Sequence, residues 1–117
     1  MVMQVKANFW IEKDGKVALS SWRVKLLETV AETGSISAAA AKMGVSYHRA
    51  WDKIHESEKR LGVKLVETQT GGAGGGGSQL TPAAADFIQR FKTFTDGLHE
   101  TMSSRFQENF LALDQLS

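Results

Sequence analysis

GSISAAAAKMGVSYHRAWDKIHESEKRLG, residues 34–62, is the stretch on which the reading of this chain turns. Ser35 has a hydroxyl able to accept a free amide hydrogen from a first helical turn. Ala38, Ala39, Ala40 and Ala41 combine high helix propensity with side chains small enough for a close helix crossing. Gly44 falls where such a helix must stop, since glycine takes the left-handed conformation without a Cβ penalty. Val45 supplies an apolar anchor inside the turn, and Ser46 can cap a second, longer helix. A short helix, a glycine turn and a capped longer helix make a helix-turn-helix.

On the second helix Ala50, Ile54 and Leu61 recur at helical spacing along one face, with Ser57 a polar gap in the stripe. Tyr47, His48, Arg49 and Lys53 are expected on the other side, weighted to the first two turns. Donors at the N-terminal end of such a helix sit where a DNA-binding helix-turn-helix enters the major groove. An arginine can grip guanine through two hydrogen bonds, which makes Arg49 the expected specificity residue. Ser35, Ser46, Tyr47, His48, Arg49 and Lys53 are the expected DNA contacts of this motif. The same polar face is also what an ordinary solvated helical pair displays.

Charge is distributed in favour of the first alternative. The whole chain is +1, but residues 42–64 hold six Lys or Arg against three Asp or Glu, a net +3 that leaves −2 elsewhere. A phosphate backbone responds to charge within a Debye length of about 8–10 Å, so the local excess counts for more than the total. With 117 residues and 42% apolar side chains, one compact domain with a terminal extension is expected. The chain has no cysteine, which removes disulfides, thiolate ligands and cysteine nucleophiles together. No apolar run approaches the ~18 residues of a membrane span. The first residues lack a signal-peptide core, so a cytoplasmic protein is expected.

Outward from the central stretch, FWIEKDGKVAL (9–19) places Asp14-Gly15 between two apolar runs, a two-residue hairpin signal. Trp10, Ile11, Val17 and Leu19 are available to fasten this ribbon to a helical body, as an interface or as core padding. SWRVKLLETVAET (21–33) reads as an amphipathic helix closed by Gly34, with Trp22, Leu26, Leu27 and Val30 inward and Arg23, Lys25, Glu28 and Glu32 outward. VKLVETQ (63–69) is strand-like, and TGGAGGGGSQ (70–79) carries six glycines before Leu80. Strand, glycine loop and return strand after the second helix predict a wing, although glycine-serine stretches are also common linkers. Amides and hydroxyls at Thr70, Gly72, Gly74 and Ser78 are its expected phosphate contacts. A nucleotide loop would need Gly-Lys-Ser/Thr and a following helix, which Gly77-Ser78-Gln79 does not provide. Thr81-Pro82 opens one long helix, or two, to about residue 113, with proline where its missing amide costs nothing and Gly97 a weak point in the middle. Phe87, Phe91, Phe94 and Leu98, continued by Met102, Phe106 and Phe110, make an apolar stripe too long for one small domain. A second copy of the chain is the expected partner, with Phe91, Phe94, Leu98 and Met102 at the dimer contact. His48, His55 and His99 fit no metal-ligand spacing, and no serine has a base and acid in a known pattern, so neither an enzyme nor a cofactor is expected.

GSISAAAAKMGVSYHRAWDKI, LVET, TGGAGGGGSQLTPAA and the preceding FWIEKDGKVAL together resemble the N-terminal domain of the ModE family of molybdate-responsive transcriptional regulators, over about residues 8–98. That domain is related to the DNA-binding domain of LysR-type regulators. The resemblance implies a mostly α fold with small β elements, a winged helix-turn-helix with an N-terminal β-hairpin and a long C-terminal dimerisation helix. It divides the chain into residues 1–81, which bind DNA, and 82–117, which dimerise, and it brings Trp22 of the first helix into the dimer contact. It implies a homodimer on double-stranded DNA at a palindromic operator. Trp51 matches a family tryptophan whose side, core or groove, is left open. The chain departs from the family pattern at Ala73 and Thr68, where basic wing residues are usual, and at Ser57, where LysR-type relatives have leucine. Residues resembling the molybdate-binding domains are missing, so the chain is expected not to bind molybdate itself. The alternative is a protein-interaction module that uses the same fold and its aromatic last helix.

Overall fold

The computed structural model describes residues 3–69 and 77–116, with side chains described as far as Phe110. Residues 3–9 have no regular structure. β1 (Trp10–Lys13) and β2 (Lys16–Ser20) form an antiparallel hairpin, and Asp14 and Gly15 turn it with φ of 54° and 77°. Two consecutive positive φ values are the two-residue turn that Asp-Gly favours. The register pairs Ile11 with Leu19 and Glu12 with Val17, which leaves Ala18 as a bulge. Strict alternation would put Ala18 and Leu19 on opposite faces; the bulge lets both be buried. β1 itself stays outside, with Trp10 and Ile11 exposed, so only half of the expected apolar fastening is used.

Three helices follow, and each starts on a serine. Ser20 Oγ accepts from the Arg23 amide at the head of α1 (Ser21–Thr33), Ser35 Oγ from Ala38 at the head of α2 (Ile36–Met43), and Ser46 Oγ from Arg49 at the head of α3 (Tyr47–Leu61). Between α2 and α3, Gly44 has φ 70°, and the amides of Gly44 and Val45 return to the carbonyls of Ala41 and Ala40. That left-handed step lets α3 leave at an angle within two residues. Leu26, Leu27 and Val30 of α1, Ala39 and Ala40 of α2, and Ala50 and Ile54 of α3 meet in one core.

Arg23, expected to point outward, is instead 7% exposed. Its Nη1 donates to the Lys53 carbonyl and to Ser57 Oγ, and its Nη2 to Glu56 Oε2, each at 2.9 Å. The polar gap at Ser57, itself fully buried, is therefore the acceptor for a buried guanidinium. Burial pushes the Glu56 carboxyl up, but the Arg23 hydrogen bond and the charges of Lys53 and Arg23 together hold it below the usual carboxylate range. Among the described residues no buried side-chain nitrogen or oxygen lacks a partner. α1 and α3 are thus locked by directed bonds as well as by apolar packing.

β3 (Val66–Gln69) and β4 (Gly77–Leu80) form the wing, with Val66 opposite Leu80 and Gln69 opposite Gly77. Its root is fixed on three sides. Glu58 Oε2 accepts from the amides of Leu65 and Val66, and the Thr81 hydroxyl donates to the Lys64 carbonyl while accepting from the Ala84 amide. The Ser78 amide donates to the Gly34 carbonyl at 2.7 Å, an approach so close that a Cβ on Gly77 would sit 2.9 Å from that oxygen. α4 (Pro82–Leu116) is a single 35-residue helix that runs through Gly97 without a break. Its first turns put Ala84, Ile88 and Phe91 into the shared core, and Lys92 reaches Glu28 of α1 at 2.8 Å. Contact with the body continues through buried Thr95 to His99, whose ring meets Phe9 at 5.0 Å, and beyond that the helix projects outward, which accounts for the 63 × 30 × 21 Å extents. No described helix is long and apolar enough to cross a membrane.

Candidate nucleic-acid interface

α3 offers three distinct strips to the outside. Tyr47, Trp51 and His55 line an open groove of about 800 Å³ whose far wall is the wing, with Glu67, Gln69 and Ser78. Trp51 is 40% exposed and stacks on the His55 ring at 3.7 Å, while His55 Nδ1 lies 2.8 Å from the Trp51 carbonyl. Trp51 therefore belongs to the groove and not to the core. The central strip holds His48 and Asp52, one turn apart and paired at 3.3 Å. On the strip toward α1, Arg49 lies with its guanidinium carbon 5.8 Å from the centre of the Trp22 ring.

Lys53 departs from its expected place. It is half-buried, its Nζ is 3.5 Å from Glu56, and its carbonyl is an Arg23 acceptor, so the Arg23–Glu56 network draws it to the flank. Other cations of the basic segment are also engaged: Lys42 pairs with Glu32, and Arg60 donates to the Val17 carbonyl and lies near Glu56. Arg49, Lys59 and Lys64 make no ion pair among the described residues, so they hold the charge still available to a polyanion. Ser35 and Ser46 use their side-chain oxygens as helix caps at the two ends of the turn. Ser78 is placed at the wing root, and the expected contacts Thr70, Gly72 and Gly74 lie outside the described residues.

The residues expected at a dimer contact separate along α4. Phe91 is 4% exposed and packs in the core of its own chain, because it lies within the first turns that close over α1; it is not available to a partner. Phe94, one turn further, is 55% exposed, and Leu98 and Met102 are half-buried. Trp22 is half-buried at the head of α1, beneath Arg49. No group of three or more His, Asp or Glu among the described residues is arranged to hold a metal ion.

Sequence reasoning missed Asp52 and the Trp51–His55 stack as parts of the outward face. A four-residue spacing, Tyr47–Trp51–His55, was the signal that could have found the groove wall. Residues 22–85 match the family described as bacterial regulatory helix-turn-helix protein, lysR family, a span of more than half the chain. The chain belongs to this LysR family. The LysR-family span runs from Trp22 through the helix-turn-helix and wing into the first turn of α4, so it takes in all three strips of α3. The chain is 37% identical over 94 residues to the molybdenum-pterin-binding protein MopB of Rhodobacter capsulatus, covering 80% of this chain and 34% of MopB. It is 36% identical over 114 residues to the transcriptional regulator ModE of Yersinia pestis, covering 97% of this chain and 43% of that protein. It thus spans well under half the length of these relatives, and the resemblance read from its residues is matched by them. Among solved structures, the CbnR DNA-binding domain in complex with DNA superposes with a TM-score of 0.55 at 26% identity, covering 74% of this chain and 93% of that one. The winged-helix architecture is shared.

Proposed function

We propose that the chain is a sequence-specific DNA-reading module of a transcriptional regulator, with α3 in the major groove, the wing beside it, and two copies on an imperfect palindrome. The observation that carries this reading is the first half of α3. Its outward side chains are exposed, its axis is locked to α1 through Arg23, and among the described residues its Arg49, like Lys59 and Lys64 further on, makes no ion pair. The likeness to a LysR-type domain solved on DNA supports it. His48 and Asp52, at the centre of the exposed strip, are assigned to base edges; a carboxylate can accept from cytosine N4. The exposed Phe94 strip is assigned to the second copy, whose symmetry sets the spacing of the half-sites. Such a protein works in the cytoplasm, and no catalytic step is assigned to it.

Selection of binding duplexes from a random pool, followed by mobility shifts across a salt series, tests the reading. A recurrent palindromic site with steeply salt-dependent affinity is expected. Recovery of no common sequence, with capture of protein partners instead, would establish the competing reading, an interaction module using the exposed Trp10, Ile11, Phe94 and Phe110. No molybdate site is assigned to the described residues: the groove between α3 and the wing is open to solvent, and its Glu67 carboxylate offsets the charge of Lys64. Calorimetric titration with molybdate is expected to show no uptake, and stoichiometric uptake would refute that assignment.

A further inference from the structure

We propose that Trp22 is a positioning residue for DNA binding, its indole holding the Arg49 guanidinium on the α1 flank of α3 as a clamp for a DNA phosphate; this rests on the DNA-binding reading above. Three observations converge on it. Trp22 is half-buried in the first turn of α1 and packed against the core, so its ring has a fixed backing. Arg49 is exposed in the first turn of α3, with its guanidinium carbon 5.8 Å from the centre of that ring. The indole is the one side-chain partner of Arg49 among the described residues.

A guanidinium stacks through its face and donates through its edge, so an aromatic shelf and an oxygen acceptor can be engaged together. Without the shelf, a long exposed arginine spreads over many rotamers, and ordering it would have to be done on binding. The flank position decides between base and phosphate. The centre of the outward strip belongs to His48 and Asp52, and the wing side to Tyr47, Trp51 and His55. Arg49 lies on the third side, beside the head of α1, where the edge of the helix meets the groove wall and its phosphates. Trp22 then acts on DNA through Arg49 and not by touching it.

A double-mutant cycle on the full chain tests this, using a duplex selected from a random pool and an unrelated duplex. Trp22→Leu is expected to weaken both duplexes about equally, by roughly three- to fivefold, and to lower the salt slope by roughly one. Arg49→Ala should do the same or slightly more, and adding Trp22→Leu to it should change nothing further. Trp22→Phe, which keeps an aromatic face, should restore most of the affinity. In the free protein, the Arg49 Nε–H resonance should show a ring-current shift that Trp22→Leu abolishes. Additive losses, a loss of discrimination between the duplexes in place of a uniform one, or an Arg49 resonance indifferent to Trp22 would each overturn the proposal. Should the unmodified chain bind neither duplex, the DNA-binding reading fails and takes this inference with it; additivity in a chain that does bind defeats the inference alone.

Discussion

Arg23, a charged side chain, is 7% exposed in the helical head of the molecule, while Phe94, an apolar one, is 55% exposed on α4. Hydrophobicity alone would reverse the two. Arg23 goes inside because α3 meets it with a carbonyl, a hydroxyl and a carboxylate at 2.9 Å, so desolvation is met by three directed bonds. Phe94 stays outside because it lies off the face of α4 along which Ala84, Ile88, Phe91 and Thr95 are buried. The head is complete in itself, whereas the outer helix has an apolar strip that only another surface can finish.

The largest expected effect comes from opening the head. Arg23→Ala leaves Ser57 and the Lys53 carbonyl without their buried donor and Glu56 with only Lys53 and Arg60 beside it, and is expected to cost about 3 kcal/mol in urea unfolding. A cost below about 1 kcal/mol, typical of a surface pair, would remove the contrast drawn here. Next, Phe94→Asp combined with Leu98→Asp is expected to give monomers by sedimentation and to weaken binding to a palindromic duplex roughly thirtyfold, about 2 kcal/mol, with the head's melting unchanged. A stable dimer in that variant would move the contact elsewhere on the chain. Gly77→Ala sets a methyl against the Gly34 carbonyl, so the wing root must shift and the Ser78 hydrogen bond weaken, at about 1 kcal/mol. Hydrogen exchange at the Ser78 amide should accelerate while the amides of α3 keep their protection.

The smallest effect is a pH dependence confined to the head. The Glu56 carboxyl is held below its ordinary value of 4.5 in the folded chain, so the unfolded chain binds its proton first as pH falls. Its contribution is full above the ordinary value and is lost as pH drops through the lower folded value. Comparing urea midpoints of the unmodified chain and Glu56→Gln over that range should show the acid-side slope reduced in the variant. Equal slopes would mean that Arg23 is held by Ser57 and the Lys53 carbonyl alone.

Local chemistry was legible in the residues, and long-range pairing was not. Ser35, Gly44, Ser46, Asp14-Gly15 and Thr81-Pro82 act within a turn of themselves, so their types announce the caps and turns that the structure contains. Arg23 could not be placed from α1 alone, since on its own helix it reads as a solvated charge. The clue lay 34 residues away, where Ser57 interrupts an otherwise apolar stripe; a polar gap on one helix and a long donor on its neighbour are one feature seen twice. The same holds for Lys53, whose position follows from Glu56 and Arg23. In the interface, the donor-rich start of α3 was visible, but its division into three strips depends on the wing root, which is set by Gly34 and Glu58 through contacts that composition does not encode.

The Arg23–Ser57 bond also limits how this helix can be exchanged. A leucine at 57 brought in alone removes an acceptor and crowds a guanidinium; an apolar residue at 23 brought in alone strands a buried hydroxyl and frees Glu56. Each single step leads downhill in stability, so drift at one position is tied to drift at the other. For anyone retargeting the module, outward positions such as His48 and Asp52 can be randomised freely, with Arg49 kept on its indole shelf. A whole recognition helix transplanted from a leucine-bearing donor is expected to need its companion substitution in α1 before it will fold as well as the parent.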